Sequence, residues 1–563
     1  MQIQPQFQTV GVLLTERLFQ IPEYQRAYSW QSKQRKDLFE DIQKVAESEN
    51  DSTHFMATIV GLRRKKLSIA SDAFVEIEVV DGQQRLTTLT ILLKALSKAL
   101  RPTDAKRANE IDALLVKGDD LSLLLLRTNH DTSQIFVDYL REGASPKEKT
   151  PQTSADHNLV DAIVECEEFV AQWTAASKHP LIELYSIIKN RLSVIFHEIE
   201  DEALVYTVFE VLNSRGLDVT WFDKLKSLLM AIVFEHGDSG SKKGTVAELH
   251  KLWTEIYGVI GLNWQTLNRE TVRFAGTLRA MKAPNRPLGE EDAVKVLIEG
   301  AGRSPKKVVD CTKWLLKVTE AEARLLANHR LRAATQIVQA RLLAIAVLLR
   351  NFSAADEKAI LRRWESVTFR IYGLAGRDAR TKVGDYVRLA WIVLKENLSP
   401  NAILEGVSEI GKDFPVETVV EGLRNRDCYQ GWTERLRYFF FRYEEYLAAN
   451  AGQKVNETQW NRIWAGEPSR SIEHVYPQSR GSADPSTSGI FVHRLGNLAM
   501  LPPGVNSKLQ DDKPKDKITA YSTCGLLLTA GVGKLLKTGK WDRQAIEKRE
   551  KQLIAWATNE WQD

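Results

Sequence analysis

Two stretches near the C-terminus decide the reading of the last domain: Ser471-Ile472-Glu473-His474-Val475-Tyr476-Pro477-Gln478 and Phe491-Val492-His493-Arg494-Leu495-Gly496-Asn497-Leu498-Ala499-Met500-Leu501. Ile472 to Val475 reads as a short strand closed by Pro477, and Phe491 to Leu501 as a second strand. Pro502-Pro503-Gly504 turns the chain, and Asn506-Ser507 can cap a helix that contains Lys508 and Leu509. Two strands and a helix make a ββα hairpin. Trp541, Ile546, Leu553 and Trp556 are candidates to hold it by packing.

A second strand-to-helix junction lies near the N-terminus. Phe74-Val75-Glu76-Ile77-Glu78-Val79-Val80 alternates like a strand, Asp81-Gly82 breaks it, and Leu86, Leu89, Leu92, Leu93, Leu96 and Leu100 then recur at helical spacing. From 103 to 235 helices are expected to dominate, and 245–450 is almost wholly helical in period, with Ala321 to Arg350 as the clearest stretch. The polar run Asn450 to Glu457 looks like the start of the last domain. The expected fold is therefore α+β and predominantly helical. A small mixed α/β domain (1–235) is followed by a helical linking domain (236–455) and a C-terminal ββα domain (456–563).

The bulk properties bound this reading. A chain of 563 residues is too long for one hydrophobic core. The hydrophobic share of 43% and charged share of 27% are those of an ordinary globular protein, and a net charge of +4 permits a nucleic-acid partner without arguing for one. The four cysteines form no CxxC pair, which disfavours a disulfide framework or a cysteine-held zinc. No apolar run is long enough to span a bilayer, and Met1 to Pro5 lacks the features of a secretory signal, so a reduced cytoplasm is the expected compartment.

Phosphodiester hydrolysis needs a base for water, a cation for the phosphate and leaving oxygen, and a group that aims the base. An imidazole suits the first role near neutral pH, and a carboxylate with an amide oxygen suits Mg²⁺. Glu473-His474, Asn497 and Asn506 resemble the HNH, or His-Me finger, nuclease motif. That resemblance implies His474 as general base, Glu473 and Asn506 as ligands of Mg²⁺ (or Mn²⁺), and Asn497 as the catalytic-site residue that braces the hairpin and orients the base. His493 is a lesser candidate at the phosphate. Glu473 stands where an Asp is more usual, which leaves the metal geometry open.

At the other end, Gly82 lets a ligand approach the backbone at a helix start, Arg85 offers a bidentate fork, and Asp81 can ligate Mg²⁺ or position water. Arg26 adds a second positive contact, and Tyr28 or Trp30 a stacking face. Gln25-Arg26-Ala27-Tyr28-Ser29-Trp30, Asp81-Gly82-Gln83-Gln84-Arg85-Leu86-Thr87 and Phe209-Glu210-Val211-Leu212-Asn213-Ser214-Arg215-Gly216 together resemble the N-terminal domain of GmrSD-type restriction enzymes. The resemblance implies an N-terminal domain that binds and hydrolyses a nucleoside triphosphate, with Asp81, Gln83, Gln84 and Arg85 as its hydrolysis motif and Gln25, Arg26 and Tyr28 lining the same pocket. It implies an antiphage, modification-dependent endonuclease acting on double-stranded phage DNA. The contrasting reading is a nucleotide-dependent DNA-binding sensor or adaptor that does not cut. A third is a nucleotide-hydrolysing regulator of a protein partner.

Two weaker features complete the reading. Arg215 or Lys226 can face the nucleotide, although a helix end at Gly216 and a new helix capped by Thr220 explain that stretch as well. Arg362, Arg363, Arg370, Arg377, Arg380 and Lys382 form a basic run around Gly373 to Gly376, with Arg377 and Arg380 as candidate DNA contacts. A homo-oligomer is compatible with all of this.

Overall fold

The computed structural model describes residues 5–562 except 23–24, 26, 49–52, 70–71, 118–122, 129–133, 145, 147–150, 152, 177–178, 201–219, 239, 241, 261–263, 329–330, 425, 482–488 and 510. The chain is predominantly helical with one mixed sheet, an α+β architecture. It separates into two compact units, Met1–Val272 with Glu290–Thr319, and Arg273–Gly289 with Glu320–Asp563. Residues 236–455 are shared between the two.

The first unit is built on a six-stranded sheet. Its strands are β1 (Pro5–Thr9), β2 (Arg17–Gln20), β3 (His54–Ile69), β4 (Asp72–Asp81), β5 (Leu126–Arg127) and β6 (Leu192–Ile199), in spatial order β1-β6-β3-β4-β2-β5. β3 and β4 form an antiparallel pair, while β6 lies between β1 and β3, antiparallel to the first and parallel to the second. The region 103–235, expected to be helical, thus contributes an interior strand. Its residues Val194 and Phe196 are fully buried.

The junction expected at 74–100 is formed as read. β4 passes through Gly82 into α1, Gln83–Leu100. Gly82 adopts φ +92°, and a Cβ there would stand 2.8 Å from Ile59 Cγ1, so glycine is required on both counts. Leu86, Leu89, Ile91, Leu92, Leu93 and Leu96 of α1 all join the core. They occupy more than one face, as a helix enclosed on most sides should.

The second unit is helical around a short hairpin. β7 (Ile472–His474) pairs antiparallel with β8 (Leu498–Met500), His474 opposite Leu498, and α2 (Pro503–Leu509) follows. The ββα order is present, but the second strand is shorter than expected. Gly489–His493 and Leu495–Asn497 are 3-10 turns, and only Leu498–Met500 form a strand. The stretch Ala321 to Arg350 is also not one helix, but parts of Pro305–Ala327, Arg332–Thr335 and Val338–Leu348.

The polar run 450–457 is an internal connection of this unit. The helix Thr433–Asn450 before it sends Glu444 to accept the Leu527 and Leu528 N–H groups, both at 2.7 Å, at the start of Leu527–Thr538. Arg442 reaches Glu560 at 3.0 Å, at the end of α3, Arg543–Glu560. Trp541, Ile546, Leu553 and Trp556 are buried, as their packing role requires. All four cysteines are buried free thiols.

Candidate active site

The hairpin of the second unit gathers the C-terminal candidates. Adjacent residues of a strand face opposite ways, and here that separates Glu473 from His474. The His474 ring meets His493, with Nε2 and Nδ1 3.0 Å apart. Tyr429 closes this face, stacked on His493 at 5.3 Å between centroids and edge-on to His474 at 4.7 Å. Burial, with smaller contributions from His493 and Lys517 and opposition from Asp427, pushes the His474 pKa down to about 3. The imidazole is therefore neutral at neutral pH.

Glu473 points into the interior. Its Oε1 accepts hydrogen bonds from Lys517 Nζ at 2.6 Å and Tyr521 Oη at 2.7 Å, and Lys517 also donates to the His474 carbonyl at 2.8 Å. This placement differs from the expected free metal ligand, because a buried carboxylate needs a compensating cation and Lys517 supplies it. The motif alone gave no sign of Lys517, which lies far along the chain.

Asn497 is the most fully bonded side chain of the site and has no solvent exposure. Its Oδ1 accepts from the Tyr476 N–H at 2.8 Å and from Trp541 Nε1 at 2.9 Å. Its Nδ2 donates to the carbonyls of Tyr476 at 3.0 Å and Val492 at 2.8 Å. The two bonds to Tyr476 join the arms of the hairpin loop, the bond to Val492 folds the second arm on itself, and the bond to Trp541 fastens them to the chain before α3. The preceding Gly496 has its own reason to be glycine, since a Cβ would lie 2.0 Å from the Ile546 carbonyl oxygen in α3. Arg549, also on α3, donates to the carbonyls of Gly496 at 2.8 Å and Leu498 at 2.7 Å.

Asn506 sits on α2 and donates from Nδ2 to the carbonyls of Arg470 at 3.0 Å and Ile472 at 3.1 Å. Its Oδ1 is buried and makes no hydrogen bond. Such an orphaned acceptor is costly unless something binds it. Among the described residues no group of three or more His, Cys, Asp or Glu side chains could hold a metal ion. The site thus offers one unbonded amide oxygen and, among the described residues, no all-protein metal cage.

In the first unit, the start of α1 is clasped by Gln25 and by Ala27 to Trp30. Gln84 Oε1 accepts the N–H groups of Ser29 at 2.8 Å and Trp30 at 3.3 Å, and its Nε2 donates to the Ala27 carbonyl at 3.1 Å. Gln25 donates to the Val80 carbonyl at 2.8 Å, Gln83 to Gln25 at 3.3 Å, and Tyr28 shares a 2.8 Å hydrogen bond with Thr88. Gln25, Tyr28, Gln83 and Gln84 are all buried, so they build the junction. Asp81 and Arg85 lie at its half-buried lip, where Arg85 stands over the Trp30 ring at 5.7 Å and Asp81 Oδ1 accepts the Gly82 N–H at 2.8 Å. Burial lowers the Arg85 pKa, while Asp81 and Asp41 oppose the shift.

Arg26 and the motif Asn213 to Gly216 lie outside the described residues. Thr220 caps the helix Trp221–His236 as expected, accepting the Asp223 N–H at 3.2 Å. Lys226 is buried against Trp253 and Tyr257. The basic run disperses: Arg362 binds Glu560 at 2.7 Å, Arg370 is buried, and Lys382 pairs with Asp413 at 2.6 Å. Arg377 and Arg380 are exposed, Arg380 pairing with Asp378 of its own loop at 3.1 Å.

Two domain families match the chain. The GmrSD restriction endonuclease N-terminal domain covers residues 10–230, and the GmrSD restriction endonuclease C-terminal domain covers residues 416–556. The chain belongs to the GmrSD restriction endonucleases. No curated protein matches it. Membership in this family makes it a hydrolytic nuclease of restriction with DNA as its partner. The GmrSD C-terminal match begins at 416, and so takes in Tyr429 and the helix Thr433–Asn450. No described helix is long and apolar enough to cross a membrane.

Proposed function

We propose that this restriction nuclease is an antiphage, modification-dependent endonuclease of double-stranded DNA, in which His474 is the general base. The observation that carries this is the His474 ring at the end of β7, set 3.0 Å from His493 in a hairpin braced by Asn497. His474 takes a proton from the attacking water, whose oxygen forms the new bond to phosphorus as the bond to the leaving oxygen breaks. The negative phosphodiester raises the basicity of an imidazole that burial otherwise depresses. Asn506 Oδ1 is the protein atom offered to Mg²⁺ (or Mn²⁺). The cation, when bound, neutralises charge on the phosphate and leaving oxygen. Glu473 contributes by fixing Lys517, which in turn holds the His474 backbone.

The N-terminal unit is proposed to bind and hydrolyse a nucleoside triphosphate that licenses cutting. Asp81 and Arg85 are the working groups at the start of α1, while Gln25, Tyr28, Gln83 and Gln84 hold the segment that frames them. Supporting this are the helix start, whose N-cap makes no side-chain capping bond, and the required Gly82. The test is cleavage of matched modified and unmodified phage DNA, with and without Mg²⁺ and each nucleoside triphosphate, by wild type and His474→Ala. Equal cutting by the two proteins removes His474 as base. Cutting that ignores both modification and nucleotide removes the licensing role.

A further inference from the structure

His474 and His493 share one hydrogen bond between Nε2 and Nδ1, so one ring donates and the other accepts. Neither ring has another protein hydrogen bond among the described residues, leaving His474 Nδ1 open. If His493 donates, His474 carries its proton on Nδ1 and has no lone pair left for a water proton. If His493 accepts, His474 is the Nε2–H tautomer and its Nδ1 lone pair is available. The geometry points to His493 as the positioning residue that sets the tautomer of His474 by accepting at Nδ1, with Tyr429 clamping both rings in that register. The inference rests on the proposed role of His474 as base.

The clamp is built rather than incidental. Cys428 N–H donates to the His493 carbonyl at 2.8 Å, tying the Tyr429 segment to the turn that carries His493. Asp427 Oδ1 accepts the N–H groups of Tyr429 at 2.9 Å and Gln430 at 2.8 Å, which fixes the local turn. The Tyr429 ring then lies 10° from parallel to His493 and 70° to His474. His493 cannot rotate without breaking the stack, and His474 cannot tilt without meeting the ring edge. The third group that orients a catalytic imidazole is often a carboxylate; here a second imidazole occupies that place.

The test uses the full chain with ¹⁵N-labelled histidine and steady-state cleavage of a DNA that wild type cuts. Wild type is expected to show His474 with its proton on Nε2, and His493→Leu to lose that preference. His493→Leu should lower kcat about 10- to 100-fold, the usual cost of losing such a supporting group, with KM within about twofold. His493→Asn, whose amide oxygen can take the place of Nδ1, should recover most of the loss and also reports on a folded site. Tyr429→Leu should lower kcat similarly, and Tyr429→Phe should rescue it. A His493→Leu protein that cuts at the wild-type kcat overturns the inference, as does a wild-type His474 protonated on Nδ1. If wild type cuts no DNA, the nuclease role of His474 falls instead, and the tautomer spectra still judge His493.

Discussion

Asn497 offers the sharpest test of how the site is held, because bracing and chemistry predict different things for it. Asn497→Ala removes the acceptor of the Tyr476 and Trp541 N–H groups and the donor to the Tyr476 and Val492 carbonyls. The position is fully buried, out of reach of bulk water. Two stranded donors at about 1–3 kcal/mol each give about 2–6 kcal/mol, before the carbonyls are considered. The Val475 and Leu501 N–H groups report this cleanly, since they bond to the backbone oxygens of Asn497 and Ser471, which the substitution leaves in place. Hydrogen exchange of these amides should accelerate by at least about 30-fold, the ratio that corresponds to 2 kcal/mol. Trp541→Phe removes only one of the bonds and should show about a tenfold effect. The bracing argument is refuted if Asn497→Ala abolishes cleavage while these amides exchange within about threefold of wild type. Asn497 would then act on the reaction itself.

Three further outcomes follow from other parts of the structure. Lys517→Met strands the buried Glu473 carboxylate and should cost about 3–5 kcal/mol in urea unfolding, whereas Lys517→Met with Glu473→Leu should recover much of it; a double variant no better than the single contradicts the ion-pair account. Gln84→Ala should release the segment around 27–30 and speed its amide exchange, while Arg85→Ala should leave that exchange slow yet stop nucleotide turnover; the reverse pattern would exchange their roles. Burial pushes the Lys226 pKa down to about 7, with Asp223 opposing. Between pH 7 and about 10.4 the unfolded chain therefore binds more protons than the folded one, so stability rises with pH across that window. Below pH 7 the full penalty is present, on the order of 5 kcal/mol. Urea titrations should show wild type gaining on Lys226→Met from pH 7 to 10, and parallel curves would refute the burial argument.

The strand, Gly82 turn and α1 were legible in the sequence because each rests on local rules. Alternation marks a strand, positive φ calls for glycine, and leucine spacing marks a helix. β6 was missed because its pairing partners, β1 and β3, lie more than 120 residues away in sequence, where no local pattern points to them. The second hairpin strand was drawn too long because an apolar run such as Phe491 to Leu501 fits 3-10 turns as well as extended chain once it is buried.

What the sequence by itself determined is the inventory: a helical α+β chain, a ββα element with Glu473, His474, Asn497 and Asn506 in order, and a strand-to-helix junction at Asp81 to Arg85. Only the tertiary structure decided what those side chains face. It turned Glu473 toward Lys517, set His474 against His493 and Tyr429, and made Gln84 a fastener of the chain at Ala27 to Trp30. The physical reason is that burial imposes its own accounting on polar atoms. Each must find a partner when water is gone, and those partners came from distant segments that no local pattern connects.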